Sequence, residues 1–274
     1  MKFFIMALFT LSLLSCASVK DVKSIKEIKE AQYDGLKYES LTRYDGLRLD
    51  NSLKAKNTVA LCHKGEFEKA NKLFKEKLDK NLNNYLYWNQ ISTCYILNKK
   101  YTQARKFLDI AMGMAKTSKQ KSKVLNNIGV IYLENKNYHE AKDYFLKSSE
   151  LSKRSLTPKF NLVQIYLKFG LYRNAKHELK ILLDINAHDV DFLNSKAHLE
   201  LMQKNYKSAL LYFNKIPKRY KTRDDIATNL GMTYFMLGLY ENAKNVINNA
   251  DKEDINYKES QLDILEKLEK RIVN

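Results

Sequence analysis

Apolar positions along this chain recur on a long fixed period. An alanine stands at Ala70, Ala104, Ala141, Ala175, Ala209 and Ala243, in steps of 34, 37, 34, 34 and 34 residues. Three positions before each alanine is an aromatic: Phe67, Tyr101, Tyr138, Tyr172, Tyr206 and Tyr240. A repeat of this length predicts an array of helix pairs, in which each pair buries its apolar face only against its neighbours. With the alanine as position twenty, the units span 51–84, 85–118, 122–155, 156–189, 190–223 and 224–257, and residues 119–121 are an insertion. Past the last unit, Leu262, Leu265, Leu268 and Ile272 form an apolar stripe at helical spacing with charged residues around it. That pattern predicts a capping helix over 258–274, polar on its outer side.

Small residues sharpen the picture. Gly129, Gly231 and the six alanines stand where helix backbones must approach closely. Gly65, Gly170 and Gly238 fall where the first helix of a unit ends, a place that often needs a left-handed backbone. The third unit reads Leu125, Ile128, Gly129, Tyr132, Tyr138, Ala141, Phe145, and the second carries the only tryptophan, Trp88, with Ile91, Tyr95 and Tyr101. On these residues the array is identified as a member of the tetratricopeptide repeat family, over about three quarters of the chain. The resemblance implies an all-α, right-handed superhelical solenoid of about six helix-turn-helix units with a C-terminal cap. Two units depart from the pattern. The first has Lys54, Asn57 and Thr58 where apolar or small residues are expected, and the fifth has Lys196 and Glu200 at core-like positions, which predicts a shifted or rotated helix there.

The chain opens with Met1, Lys2 and a short apolar run ending at Leu13-Leu14-Ser15-Cys16. The run is too short to span a membrane and reads as a secretory signal over 1–15. Its end resembles the lipobox of bacterial lipoproteins, which implies lipidation (palmitate among the chains) at Cys16. Ala17 and Ser18 then imply sorting to the outer membrane, facing the periplasm. Residues 16–50 are expected to be a lipid-anchored tether and lead-in, with two matching stretches at Tyr33–Leu36 and Tyr44–Leu47. Cys62 and Cys94 fall on the first helices of neighbouring units. A bridge needs Cα atoms within about 7 Å, which stacked helices rarely provide, so buried free thiols are favoured over a bridge. The five histidines are scattered and no spacing suits a metal; no cofactor is expected.

Lys and Arg number 48 against 31 Asp and Glu, a formal charge of +17. The charge is diffuse, with no arginine-rich stripe or aromatic platform, so nucleic acid is not an expected partner. It is read first as a solvated surface, with anionic lipid or an acidic partner as the sharper alternatives. No segment outside the repeats is long enough for a catalytic domain, and nothing resembles a nucleophile elbow or phosphate loop. No enzymatic activity and no small-molecule substrate are expected. In tetratricopeptide arrays the concave groove is lined by positions two, five, nine and twelve of each first helix. Carried over, these are Leu86, Asn89, Thr93 and Ile96, then Lys123, Asn126, Val130 and Leu133. They continue with Thr157, Phe160, Gln164 and Leu167, then Asp191, Asn194, His198 and Leu201 of the fifth unit, and end with Asp225, Thr228, Met232 and Phe235. Amides among them suit a partner's backbone and apolar residues its side chains; burial between helices is the competing reading for Val130, Leu133, Leu167 and Phe235. Six units behind a lipobox are similar to the pilotin lipoproteins of type IV pilus secretins, which implies an assembly scaffold binding protein partners in the envelope. The alternatives are an adaptor recruiting peptidoglycan enzymes, or a lipoprotein of outer-membrane protein assembly.

Overall fold

A computed structural model describes residues 58–252 and 255–272. The signal, Cys16, the tether and the start of the first unit lie outside the described residues. Every regular element described is helical, and the helices pair as the period demands. The first pair is α1 (Thr58–His63) with α2 (Phe67–Lys77), and the second α3 (Tyr85–Leu97) with α4 (Tyr101–Met114). The third is α5 (Ser118–Glu134) with α6 (Tyr138–Leu151), and the fourth α7 (Leu156–Lys168) with α8 (Tyr172–Ile185). The fifth is α9 (Val190–Met202) with α10 (Tyr206–Lys215), and the sixth α11 (Asp224–Met236) with α12 (Tyr240–Asn248). A short 3-10 turn, Lys218–Tyr220, joins the last two pairs, and α13 (Ile255–Ile272) follows them.

Each helix packs on the next, and the first helices of successive pairs also stack on one another, α1 on α3, α3 on α5, α7 on α9, α9 on α11 and α11 on α13. The result is the solenoid that the repeat predicts. All six period alanines are fully buried. Each period aromatic is the first residue of the second helix in its pair.

The turn inside each pair repeats as faithfully as the alanine. Gly65, Gly170 and Gly238 have the left-handed backbone expected, and the same place in the other three pairs holds Lys99, Lys136 and Lys204, also left-handed at φ 55–63°. In all six the next residue's N–H reaches back to the first helix, as Lys100 does to Tyr95 O at 2.8 Å and Leu171 to Tyr166 O at 2.8 Å. The left-handed residue itself donates three residues back, Lys136 to Leu133 O at 3.0 Å and Gly238 to Phe235 O at 3.0 Å. Both bonds together satisfy carbonyls that a helix end leaves open.

The insertion is absorbed as helix. α5 has 17 residues where α3, α7, α9 and α11 have 13, so 119–121 supply one more N-terminal turn. Thr117 and Gln120 close it with a reciprocal capping box: Gln120 N donates to Thr117 Oγ1 at 3.2 Å and Thr117 N to Gln120 Oε1 at 3.1 Å.

Three expectations are corrected. Cys62 and Cys94 form a disulfide, their Cα atoms 5.2 Å apart, because α1 stacks directly on α3. The fifth pair is neither shifted nor rotated: Leu193, Ala197, Leu199 and Leu201 are buried in register. Lys196 and Glu200 remain half-buried at its side by pairing with each other, and the Lys196 ammonium lies 5.5 Å from the centre of the Tyr212 ring. On the cap, the face turned to α11 and α12 carries Gln261, Ile264 and Leu268, while Leu262 is exposed and Leu265 half-buried. The Ile272 side chain lies outside the described residues.

Candidate protein-binding groove

The stacked first helices form one continuous face, and the predicted groove residues lie along it. Leu86, Lys123, Gln164, Met232 and Phe235 are half-buried and reach the surface. Ile96, Val130, Leu133, Phe160 and Leu167 are buried in the hydrophobic core. Thr93 and Thr228 are buried and donate to carbonyls of their own helices, Thr93 Oγ1 to Asn89 O at 2.9 Å and Thr228 Oγ1 to Asp224 O at 2.6 Å.

Asn89 and Asn126 are turned inward and are wholly buried. They belong to a ladder of amides that ties neighbouring first helices together at three junctions. Asn127 Nδ2 donates to Asn89 Oδ1 at 3.1 Å, and Asn161 Nδ2 donates to Asn126 Oδ1 at 3.0 Å. At the last junction Asn229 Nδ2 reaches Asn194 Oδ1 at 3.5 Å. In each case position six of one unit donates to position five of the unit before. The rule breaks between the fourth and fifth pairs, where Phe160 takes the place of the asparagine and packs on Phe192 with ring centres 5.7 Å apart. There Gln164 Nε2 donates to Ser195 Oγ at 3.0 Å instead. Buried amides are tolerated because they satisfy one another. The spacing of Asn89 to Asn127 and of Asn126 to Asn161 was the sequence signal for this ladder.

The strongest electrostatic feature lies between the last two pairs. Arg223 is buried just ahead of α11; its Nη2 donates to Asp191 Oδ1 at 2.7 Å and to Asp225 Oδ2 at 2.7 Å, and its Nε to Asp225 Oδ1 at 3.0 Å. Asn194 Nδ2 adds a bond to Asp225 Oδ2 at 2.8 Å. Burial opposes the guanidinium charge, but the two carboxylates outweigh it and hold Arg223 firmly protonated. Burial pushes the Asp191 carboxyl up to about 7, against the pull of Arg223. Asp224 faces the cap, accepting from Lys252 N at 2.8 Å and Gln261 Nε2 at 3.1 Å. Of the histidines, His63 and His198 are half-buried, and burial lowers both. Among the described residues no group of His, Cys, Asp and Glu is placed to hold a metal ion.

The geometry is that of an array whose polar side chains fasten its own units together, and the comparisons agree on the architecture. A family model described as the coatomer epsilon subunit matches residues 97–266, more than half of the chain. The chain belongs to that family. The matched stretch begins at the end of α3 and runs into α13, so what this family member shares is the helix-pair array. No curated protein sequence matches it. Among solved structures it is similar to the APC/C hetero-tetramer Cut9-Hcn1, with a TM-score of 0.66 at 17% identity over 79% of this chain. It spans only 42% of that chain. It is also similar to PilW, described as a widely conserved type IV pilus biogenesis factor, with a TM-score of 0.60 at 18% identity, covering 76% of this chain and 94% of PilW. The Pseudomonas aeruginosa protein pilF gives a TM-score of 0.60 at 17% identity, covering 75% and 94%. At such identities the likeness is one of fold, and that fold is the tetratricopeptide solenoid.

Proposed function

We propose that this protein is a non-enzymatic scaffold that holds protein partners in a bacterial envelope, lipid-anchored through Cys16 to the outer membrane and facing the periplasm. Its process in this reading is assembly of a type IV pilus secretin. One observation carries the scaffold reading: six helix pairs stack without a break, and their first helices leave a continuous face on which Leu86, Lys123, Gln164, Met232 and Phe235 remain accessible. Such a face suits an extended segment or an amphipathic helix. The non-enzymatic reading is supported by the use of the buried polar groups, which are spent on the amide ladder and on the Arg223 cluster.

The location rests on the lipobox-like Leu13-Leu14-Ser15-Cys16 and gains support from the Cys62–Cys94 disulfide, since disulfides persist in oxidising compartments. The pilus role is supported by the near-complete overlap with PilW and pilF, each of which this chain covers to 94%. The test is photo-crosslinking in the native envelope from probes at Gln164 and Met232, together with deletion of the gene. The expected result is a crosslinked envelope protein and loss of secretin multimers. Intact multimers and piliation after deletion would end the pilus reading, and no crosslink from either probe would end the groove reading.

A further inference from the structure

The turns inside the helix pairs line up along one edge of the solenoid, and the character of that edge changes half-way. In the first three pairs the two residues flanking the left-handed position are Lys64 and Glu66, Asn98 and Lys100, Asn135 and Asn137. In the fourth and sixth they become Phe169 and Leu171, Leu237 and Leu239, while in the fifth they stay polar, Gln203 and Asn205, and Met202 alone brings that turn an apolar tip. Met202 and Met236, the last residues of α9 and α11, join the same edge. Phe169, Leu171, Met202, Met236 and Leu239 are each between 42% and 53% exposed, an unusual density of bare apolar side chains for three adjacent turns. Each turn also carries its half-buried tyrosine, Tyr172, Tyr206 or Tyr240. Exposed Lys168, Arg173 and Lys204 stand among them.

We propose that this edge is a docking surface for an anionic lipid bilayer. The apolar residues are tips on a row of turns rather than the lining of a concavity. A folded partner would need a matching pocket for each tip, whereas the bilayer interface accepts them all without prior fit. Tyrosines favour the depth where the headgroups meet the acyl chains, and Lys and Arg beside them complement anionic headgroups. The first three pairs have the charge without the apolar tips, so the contact is confined to the fourth to sixth pairs. The inference does not rest on the lipid at Cys16.

The test uses the mature chain from residue 16 with Cys16→Ser in every variant, so that neither acylation nor the apolar run of residues 1–15 plays a part. Leu171→Trp places a fluorophore on the edge, and Leu211→Trp places one on α10, where Leu211 is the most exposed large apolar residue described. Both are mixed with vesicles of brominated phosphatidylcholine containing phosphatidylglycerol, and the constant signal of Trp88 is subtracted. The expected result is a blue shift and strong quenching for Leu171→Trp and little for Leu211→Trp, weakening with salt and without phosphatidylglycerol. The triple variant Leu171→Asn, Met202→Gln and Leu239→Asn should bind these vesicles about ten-fold more weakly with unchanged circular dichroism. Equal quenching at both positions, no quenching at Leu171→Trp, or unchanged binding by the triple variant would overturn the proposal. An edge that serves a protein partner would give the second of these results.

Discussion

The Phe145 ring lies directly over the bare Cα of Gly129: a methyl group added there would meet ring carbon Cε1 at 2.7 Å. Phe145 is fully buried and its ring cannot yield without moving α5 from α6. Gly129→Ala is therefore expected to destabilise by roughly 1–3 kcal/mol, the usual cost of overpacking. At Gly231 the added carbon would meet Ile247 Cδ1 at 2.6 Å and Cγ1 at 2.8 Å; Ile247 is also buried, but its terminal ethyl group can turn where an aromatic ring cannot. Gly231→Ala should cost less, and thermal melts of the two variants decide it. Equal melting temperatures would refute the argument from ring rigidity.

Lys136 occupies a left-handed backbone at φ 63° that its side chain does nothing to favour. Relief of a left-handed non-glycine residue is of order 1 kcal/mol. Lys136→Gly is expected to raise the melting temperature by about 2–4 °C, and Lys99→Gly and Lys204→Gly should act in the same direction. A fall in melting temperature on differential scanning calorimetry would contradict this.

The Cys62–Cys94 disulfide closes a loop with a sequence separation of 32 and ties the short α1 to α3. By loop-closure entropy such a link contributes about 3–4 kcal/mol. Cys94→Ser, or reduction, is expected to release the first pair ahead of the rest. Limited proteolysis reads this as new cleavage between residues 64 and 84 with the remainder protected; an unchanged digest would show that the first pair holds without the bond.

Asp191 gives a pH dependence with a definite sign. Its carboxyl, ordinarily near 3.8, is pushed up to about 7 by burial, so its ionisation opposes folding. The cost is absent below the unfolded value, grows between about pH 4 and 7, and is complete above that. Asp191→Asn should therefore melt above the wild type at pH 8, with the difference shrinking as pH falls towards 4. An opposite or constant difference across that range would show that the Arg223 contact dominates instead.

How much of this was legible in the sequence depends on whether a residue type is selective for its place. Ala141 and Tyr138 are, because a close helix contact and the first residue of the second helix each tolerate few side chains; the helix pairs followed from them. Lys136 is not selective: lysine has no preference for a left-handed turn, so only the three glycine turns could be foreseen. The disulfide depended on how closely α1 stacks on α3, a distance that no local pattern encodes. Lys196 and Glu200 were misleading because each looks costly alone and they offset one another as a pair. Asn89 and Asn126 fit a groove position and an interhelical bond equally well, and only the packing shows that their amides face inward.

The amide ladder makes the repeats individual. A tetratricopeptide unit looks like an exchangeable brick, yet the third pair must present Asn127 backwards to Asn89 and Asn126 forwards to Asn161. The fourth pair breaks that code with Phe160 and Gln164, and Ser195 in the fifth is matched to the break. Deleting or transposing a unit would keep the helical rhythm while setting an amide against phenylalanine or leaving a buried donor facing nothing. The order of the pairs is thus written into the seam between them, and the array can grow or shrink in evolution only at its ends or by rewriting two neighbours together.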